Sequence, residues 1–202
     1  MPGYHSRQTY KPGATYFLTL EAKANCKGFF DDACYQFYLL RLFHSLNYFH
    51  VKLHAYLLLP DKLCLLLTPR APTGTRHLLA TVNRAYCDYF NNRFGRRTRR
   101  WHNRSSEVLV PQDAFILDCQ KYIEFEPVRS GLVSHPGEWR WSSYSTNAFG
   151  GDSGFITKHR ALYQYQKNNS DSGYLYRTYV AEGVHVARPQ FLRHQIDREQ
   201  VI

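Results

Sequence analysis

AYLLLPDKLCLLLTP, residues 55–69, is two apolar runs separated by Pro60, Asp61 and Lys62. The first run reaches back to Val51 and the second ends at Thr68. A proline-aspartate turn between two runs of strand length predicts an antiparallel hairpin. Apolar residues on both faces of each run make its strands central ones. Upstream, GATYFLTLE at 13–21 alternates β-branched and aromatic residues after a Pro-Gly turn and reads as a first strand. Between them FFDD at 29–32 offers an aspartate N-cap, and Tyr35, Phe37, Tyr38, Leu42, Phe43 and Leu46 recur with helical spacing. Downstream, residues 73–93 carry Leu78, Leu79, Val82, Ala85, Tyr86 and Phe90 on one helical face. Glu107 to Val110 is a short strand, and Pro111-Gln112-Asp113 opens a helix bearing Phe115, Cys119, Tyr122 and Ile123, which Pro127 is expected to stop.

The order strand, helix, strand, strand, helix, strand, helix predicts an α+β fold: a ferredoxin-like split β-α-β antiparallel sheet with helices on one face. After Gly131 the chain turns aromatic, then Gly- and Asn-rich, then polar, with a short helix expected near 174–181. Residues 1–133 therefore read as one catalytic or DNA-binding unit, and 134–202 as an irregular C-terminal extension packed on it.

Composition narrows the function. The 202 residues hold 26 Lys plus Arg against 16 Asp plus Glu, a formal charge of +10, which favours a polyanionic partner. Aromatics make up 16% of the chain, and flat rings beside positive charge suit unpaired bases. A hydrophobic content of 44% is too high for a disordered basic tail, and no apolar stretch approaches a membrane span. The opening MPGYHSRQTYKPG lacks a continuous apolar region, so neither leader nor anchor is expected and the cytoplasm is the default compartment. Five scattered cysteines with no CxxC pair indicate neither a disulfide framework nor a zinc knuckle.

The strongest local charge feature is NRFGRRTRRWHNR at 92–104, which contains no acid. Arg93, Arg96, Arg97, Arg99, Arg100 and Arg104, interleaved with Phe94, Trp101 and His102, are expected to contact nucleic acid, the arginines at phosphates and the rings at bases.

Three segments in order, AYLLLPDKLCLLLTP (55–69), KYIEFEPVRSGLV (121–133) and EWRWSSY (138–144), together resemble the REP-associated tyrosine transposases, a branch of the single-strand DNA transposases named for a His-hydrophobic-His motif. FFDDACYQFYL (29–39) and FITKHRALY (155–163) fit the same pattern, so the likeness runs from about Gly13 to Tyr163. In that family the second hairpin strand carries Asn-His-x-His, whose histidines hold a divalent cation. A tyrosine on the helix after the basic loop attacks a DNA phosphate, and a polar residue four positions later completes the metal shell. The resemblance makes Tyr122 the catalytic-position tyrosine and Glu126, where Asn is usual, the third ligand position. Asp61, Lys62, Leu63 and Cys64 stand in place of the motif, so both histidine positions are substituted.

An ammonium repels a metal, and an apolar neighbourhood makes Cys64 a small hydrophobe rather than a ligand. No metal is therefore expected at the degenerate positions Lys62, Cys64 and Glu126, and a Lys62–Glu126 ion pair is expected instead. The leading expectation is a cytoplasmic protein, monomer or homodimer, that binds single-stranded or hairpin DNA with metal-dependent strand cleavage impaired or lost. One alternative is an active transposase using Mg²⁺ or Mn²⁺ held by Cys64, Glu126 and His54. Another is an RNA-binding or regulatory module on the same sheet.

Overall fold

The computed structural model describes residues 9–23, 27–95, 101, 106–111, 113–150, 153–167 and 172–182. Its elements run β1 (Tyr16–Glu21), α1 (Asp32–Tyr48), β2 (Val51–Leu58), β3 (Lys62–Pro69), α2 (Gly74–Phe94), β4 (Ser106–Leu109) and α3 (Ala114–Arg129). A 3-10 turn (Pro136–Glu138) and the short helices α4 (Tyr144–Phe149), α5 (Arg160–Lys167) and α6 (Ser172–Ala181) follow. The strands form one antiparallel sheet in the order β2-β3-β1-β4, with the two strands of the hairpin adjacent. This is the α+β, ferredoxin-like arrangement read from the strand and helix order.

Alternation along the central strands builds two cores. Tyr16, Leu18 and Leu20 of β1 and Leu63, Leu65 and Leu67 of β3 face α1 and α2. Phe17, Cys64 and Leu66 face the other way and pack on Ile116, Cys119, Tyr122 and Ile123 of α3. Helices therefore cover both faces, not one. The expectation of a single helical layer fails because both alternating sets on β1 and β3 are apolar, and each needs its own cover.

Two further readings need correction. α3 does not stop at Pro127 but runs through it to Arg129. Gly131, at φ +68°, ends it, with Leu132 N–H donating to the Pro127 carbonyl at 3.0 Å and Gly131 N–H to that of Val128 at 2.9 Å. This double closure is the Schellman motif, which needs the left-handed residue that glycine supplies. The segment after Gly131, read as irregular, carries α4, α5 and α6, with α6 matching the expected helix near 174–181.

That segment also covers an edge, for of the two hairpin strands read as central only β3 is, and β2 lies at the side of the sheet. Tyr56 and Leu58 of the edge strand β2 bond through their backbones to Ser143 and Trp141, and Leu53 bonds to Thr157. Exposed strand edges invite pairing with other chains, and 141–143 with 156–157 occupy this one. No helix among the described residues is long and apolar enough to cross a membrane.

Candidate functional site

Lys62 and Cys64, two apart on β3, point to the sheet face that α3 covers. Tyr122 and Glu126, four apart on α3, face them one helical turn from each other. Tyr122 is buried edge-on against Phe17, with ring centroids 5.9 Å apart at 80°. Cys64, at 1% exposure, is a buried member of the same apolar cluster. The Lys62 ammonium donates to Glu126 Oε1 at 2.6 Å, so the expected ion pair is present.

A third charged residue completes the group. The Arg129 guanidinium pairs with Glu126 Oε2 and lies over the Tyr122 ring, 4.0 Å from its centroid. Glu126 is thus held between two cations, and its side chain is nearly inaccessible while those of Lys62 and Arg129 remain partly open to solvent. The sequence analysis assigns Arg129 no role, although its spacing of three from Glu126 on one helix is a signal that could have found it.

These residues do not fit a divalent cation. A hard cation needs several oxygen or imidazole donors, whereas here the sole carboxylate is neutralised by an ammonium and a guanidinium, and the thiol lies in an apolar cluster. Among the described residues no three His, Cys, Asp or Glu side chains converge as a ligand set.

His54 does not join the group. It sits at a β-bulge in β2, where the register shifts between Leu53 and Ala55, and Ala55 pairs with Leu66 well along β3 from Lys62. Both ring nitrogens are engaged: Nδ1 donates to the Thr157 carbonyl at 2.6 Å, and Nε2 accepts from the Thr68 hydroxyl at 2.8 Å. The chain continues through Thr15 Oγ1, 2.7 Å from Thr68 Oγ1, to His159 Nε2 at 3.2 Å. His159 Nδ1 accepts the Ala161 N–H, so one set of tautomers satisfies every link and both rings are neutral in it. Burial holds His54 down to about 4 despite its bond to Thr157.

The basic loop divides. Trp101 is buried at 5% exposure, packs on Phe29 and bridges to Ala22, so its ring belongs to the core and cannot stack on a base. Gly28 makes room for it: a Cβ there would lie 2.4 Å from the indole. Arg93 forks onto Asp31 at 3.0 and 2.7 Å and reaches the Tyr89 hydroxyl, bracing the end of α2 against the N-cap of α1. Desolvation would raise Asp31, but the Cys34 N–H and the Arg93 guanidinium hold its carboxyl below the usual range. Arg96, Arg97, Arg99, Arg100, His102 and Arg104 lie outside the described residues.

On its far side α3 carries a polar residue that no periodicity argument found. Glu124 is fully buried, accepting from Ser143 Oγ and Asn147 Nδ2 at Oε1 and from the Tyr176 hydroxyl at Oε2, all at 2.7 Å. Burial outweighs these bonds and pushes it up to about 7. Glu124 thereby ties α3 to α4 and α6.

No family model and no curated protein matches the chain. Among solved structures it is similar to a REP-associated tyrosine transposase bound to a REP hairpin, at 18% identity and a TM-score of 0.58, covering 76% of this chain and 88% of that one. A protein of Deinococcus radiodurans R1 described as a candidate transposase aligns at 20% identity over 59% of this chain and 95% of that one, with a TM-score of 0.42. A bacterial tRNA(His) guanylyltransferase-like protein in complex with GTP aligns at 6% identity over 62% and 68%, with a TM-score of 0.46. The first of these likenesses is one of fold: the chain has a transposase-like α+β architecture.

Proposed function

We propose that the chain is a DNA-binding protein of the tyrosine transposase type, which binds single-stranded or hairpin DNA and has lost metal-dependent strand cleavage. The observation that carries this reading is the Lys62–Glu126 pair one helical turn from Tyr122. It lies in a fold similar to that of a transposase bound to a hairpin. The +10 charge supports a polyanionic partner, and the motifs around residues 55–69 and 121–133 support the family position of Tyr122. A tyrosine hydroxyl is a weak nucleophile, and cleavage of a phosphodiester depends on stabilising charge that builds on the phosphate. With an ammonium at the first histidine position and Glu126 already neutralised, the residues here do not build the divalent centre that would supply it.

Incubation with end-labelled hairpin and linear single strands, with and without Mn²⁺, tests both halves. The expected outcome is a shifted, non-covalent complex. A covalent adduct that disappears in Tyr122→Phe would defeat the loss of cleavage and favour an active transposase. Preference for RNA over both DNA probes would favour the RNA-binding module.

A further inference from the structure

Residues 33–60 and 62–87 contain neither Asp nor Glu. The fold gathers part of that acid-free chain, together with residues 10–13, at the end of β3 away from Lys62. Gly13 N–H bonds to the Pro69 carbonyl at 2.8 Å and Tyr10 N–H to that of Pro72 at 3.1 Å, so the backbone of Lys11 runs beside that of Arg70. Arg70 N–H bonds in turn to the His50 carbonyl at 2.9 Å, and His77 meets Phe49 with ring centroids 6.3 Å apart. Lys11, His50, Arg70 and His77 are all exposed, and none is paired with a carboxylate among the described residues. The carboxylate reached from these segments is Glu107, which is buried and bonded by the Tyr10 hydroxyl. Tyr48 stands beside them, 78% exposed and edge-on to Phe49 at 4.8 Å. A ring so open contributes little to the core. His50 has φ +53°, the one non-glycine residue in the left-handed region among those described. Glycine takes that conformation at lower cost, so the turn itself gives no reason for an imidazole there.

We infer that this corner is a second contact surface for single-stranded DNA, with Lys11 and Arg70 at backbone phosphates, His50 and His77 adding N–H donors, and Tyr48 stacking on an unpaired base. The inference rests on the DNA-binding reading above and extends it. Lys62 and Pro69 are the two ends of β3, roughly 23 Å apart at about 3.3 Å per residue, so the corner takes a different part of the strand from the Tyr122 group. Exposed cations around an open ring complement phosphate and base together. A membrane surface is met by an apolar helix face with several large side chains, whereas here one ring stands among polar neighbours.

The test is fluorescence anisotropy of a labelled single-stranded oligonucleotide across a salt series, repeated with a strand of the same length built from abasic sites, with thermal melts of every variant. Lys11→Gln combined with Arg70→Gln is expected to weaken binding to both strands and to flatten the plot of log affinity against log salt by roughly one to two units. Tyr48→Ala should weaken binding to the base-bearing strand about fivefold or more, leave the abasic strand unaffected and keep the salt slope. His50→Gly should bind more weakly while melting no lower than the wild type, an outcome that a purely structural imidazole would not give. All four side chains are exposed, so these variants are expected to fold. Wild-type binding with affinity and slope unchanged in every variant overturns this surface and leaves the DNA-binding reading standing. A loss in Tyr48→Ala that is equally large on the abasic strand overturns the stacking. Variants that keep wild-type DNA binding but lose a wild-type affinity for phosphatidylserine vesicles assign the corner to a membrane and overturn the inference as well. A wild-type chain that binds no single-stranded DNA overturns both readings.

Discussion

Glu124 and His54 are buried groups that the fold keeps uncharged, and they pull the pH dependence of stability in opposite directions. Burial pushes Glu124 from 4.5 up to about 7, so the folded chain keeps a proton that the unfolded chain releases. Stability is therefore lost as pH rises between those values, by about 3 kcal/mol in total. Burial holds His54 at about 4 instead of 6.5, so the unfolded chain takes a proton that the folded chain refuses. Here stability is lost as pH falls from 6.5 towards 4, by a similar amount. His159, also lowered by burial, acts in the same sense as His54. Across the shared window the opposing contributions offset one another. Glu124→Gln should expose the histidine contribution, giving an unfolding free energy that rises with pH by up to about 1.4 kcal/mol per unit relative to the wild type. Urea titrations at several pH values between 4.5 and 6.5 check this. A slope equal to that of the wild type would mean that Glu124 is ionised throughout.

α3 shows what an element needs beyond its own pattern. Phe115, Cys119, Tyr122 and Ile123 announced one apolar stripe, and that stripe does meet the sheet. The opposite side, with Phe125, Val128 and Leu117, packs on Tyr144, Leu162, Tyr176 and Val180, so residues 119–127 are buried all round. Burial on every side also explains why Pro127 is tolerated: packing holds the last turn despite the lost backbone N–H. The stop comes from Gly131, so Gly131→Ala should lower stability by about 1 kcal/mol through the left-handed conformation alone, measured by urea unfolding. Beside the β2–β3 turn, where Gly28 N–H bonds to the Pro60 carbonyl, Gly28→Ala drives a methyl into the Trp101 ring and should cost about 1–3 kcal/mol. If Trp101 were instead on the surface, the same change would be nearly neutral. Nothing in NRFGRRTRRWHNR separates a buried tryptophan from a stacking one, because the distinction depends on Gly28 and Phe29, more than 70 residues earlier.

Taken as one molecule, the described chain does not separate cleanly at residue 133. The three donors to Glu124 come from Ser143, Asn147 and Tyr176, and the edge of β2 is covered by 141–143 and 156–157. A chain ending at Val133 would leave Glu124 without these donors, the outer face of α3 bare and an apolar strand edge open. We expect it to aggregate and to show no cooperative melt by circular dichroism, whereas an independent unit would melt sharply. The family resemblance supplied the opposition of Lys62 to Glu126, and local pattern was enough to establish the order of strands and helices, the hairpin at 60–62, an aspartate cap within 29–32 and the charge excess. Those features depend on periods of 2 and 3.6 and on spacings of a few residues, which a sequence displays directly. Which sheet face α3 covers, where Trp101 goes, how Arg129 comes to lie on Tyr122 and why a carboxylate is buried at 124 all came from the folded chain. Each depends on contacts that no local period encodes, between side chains brought together when α3 packs between the sheet and the residues after 133.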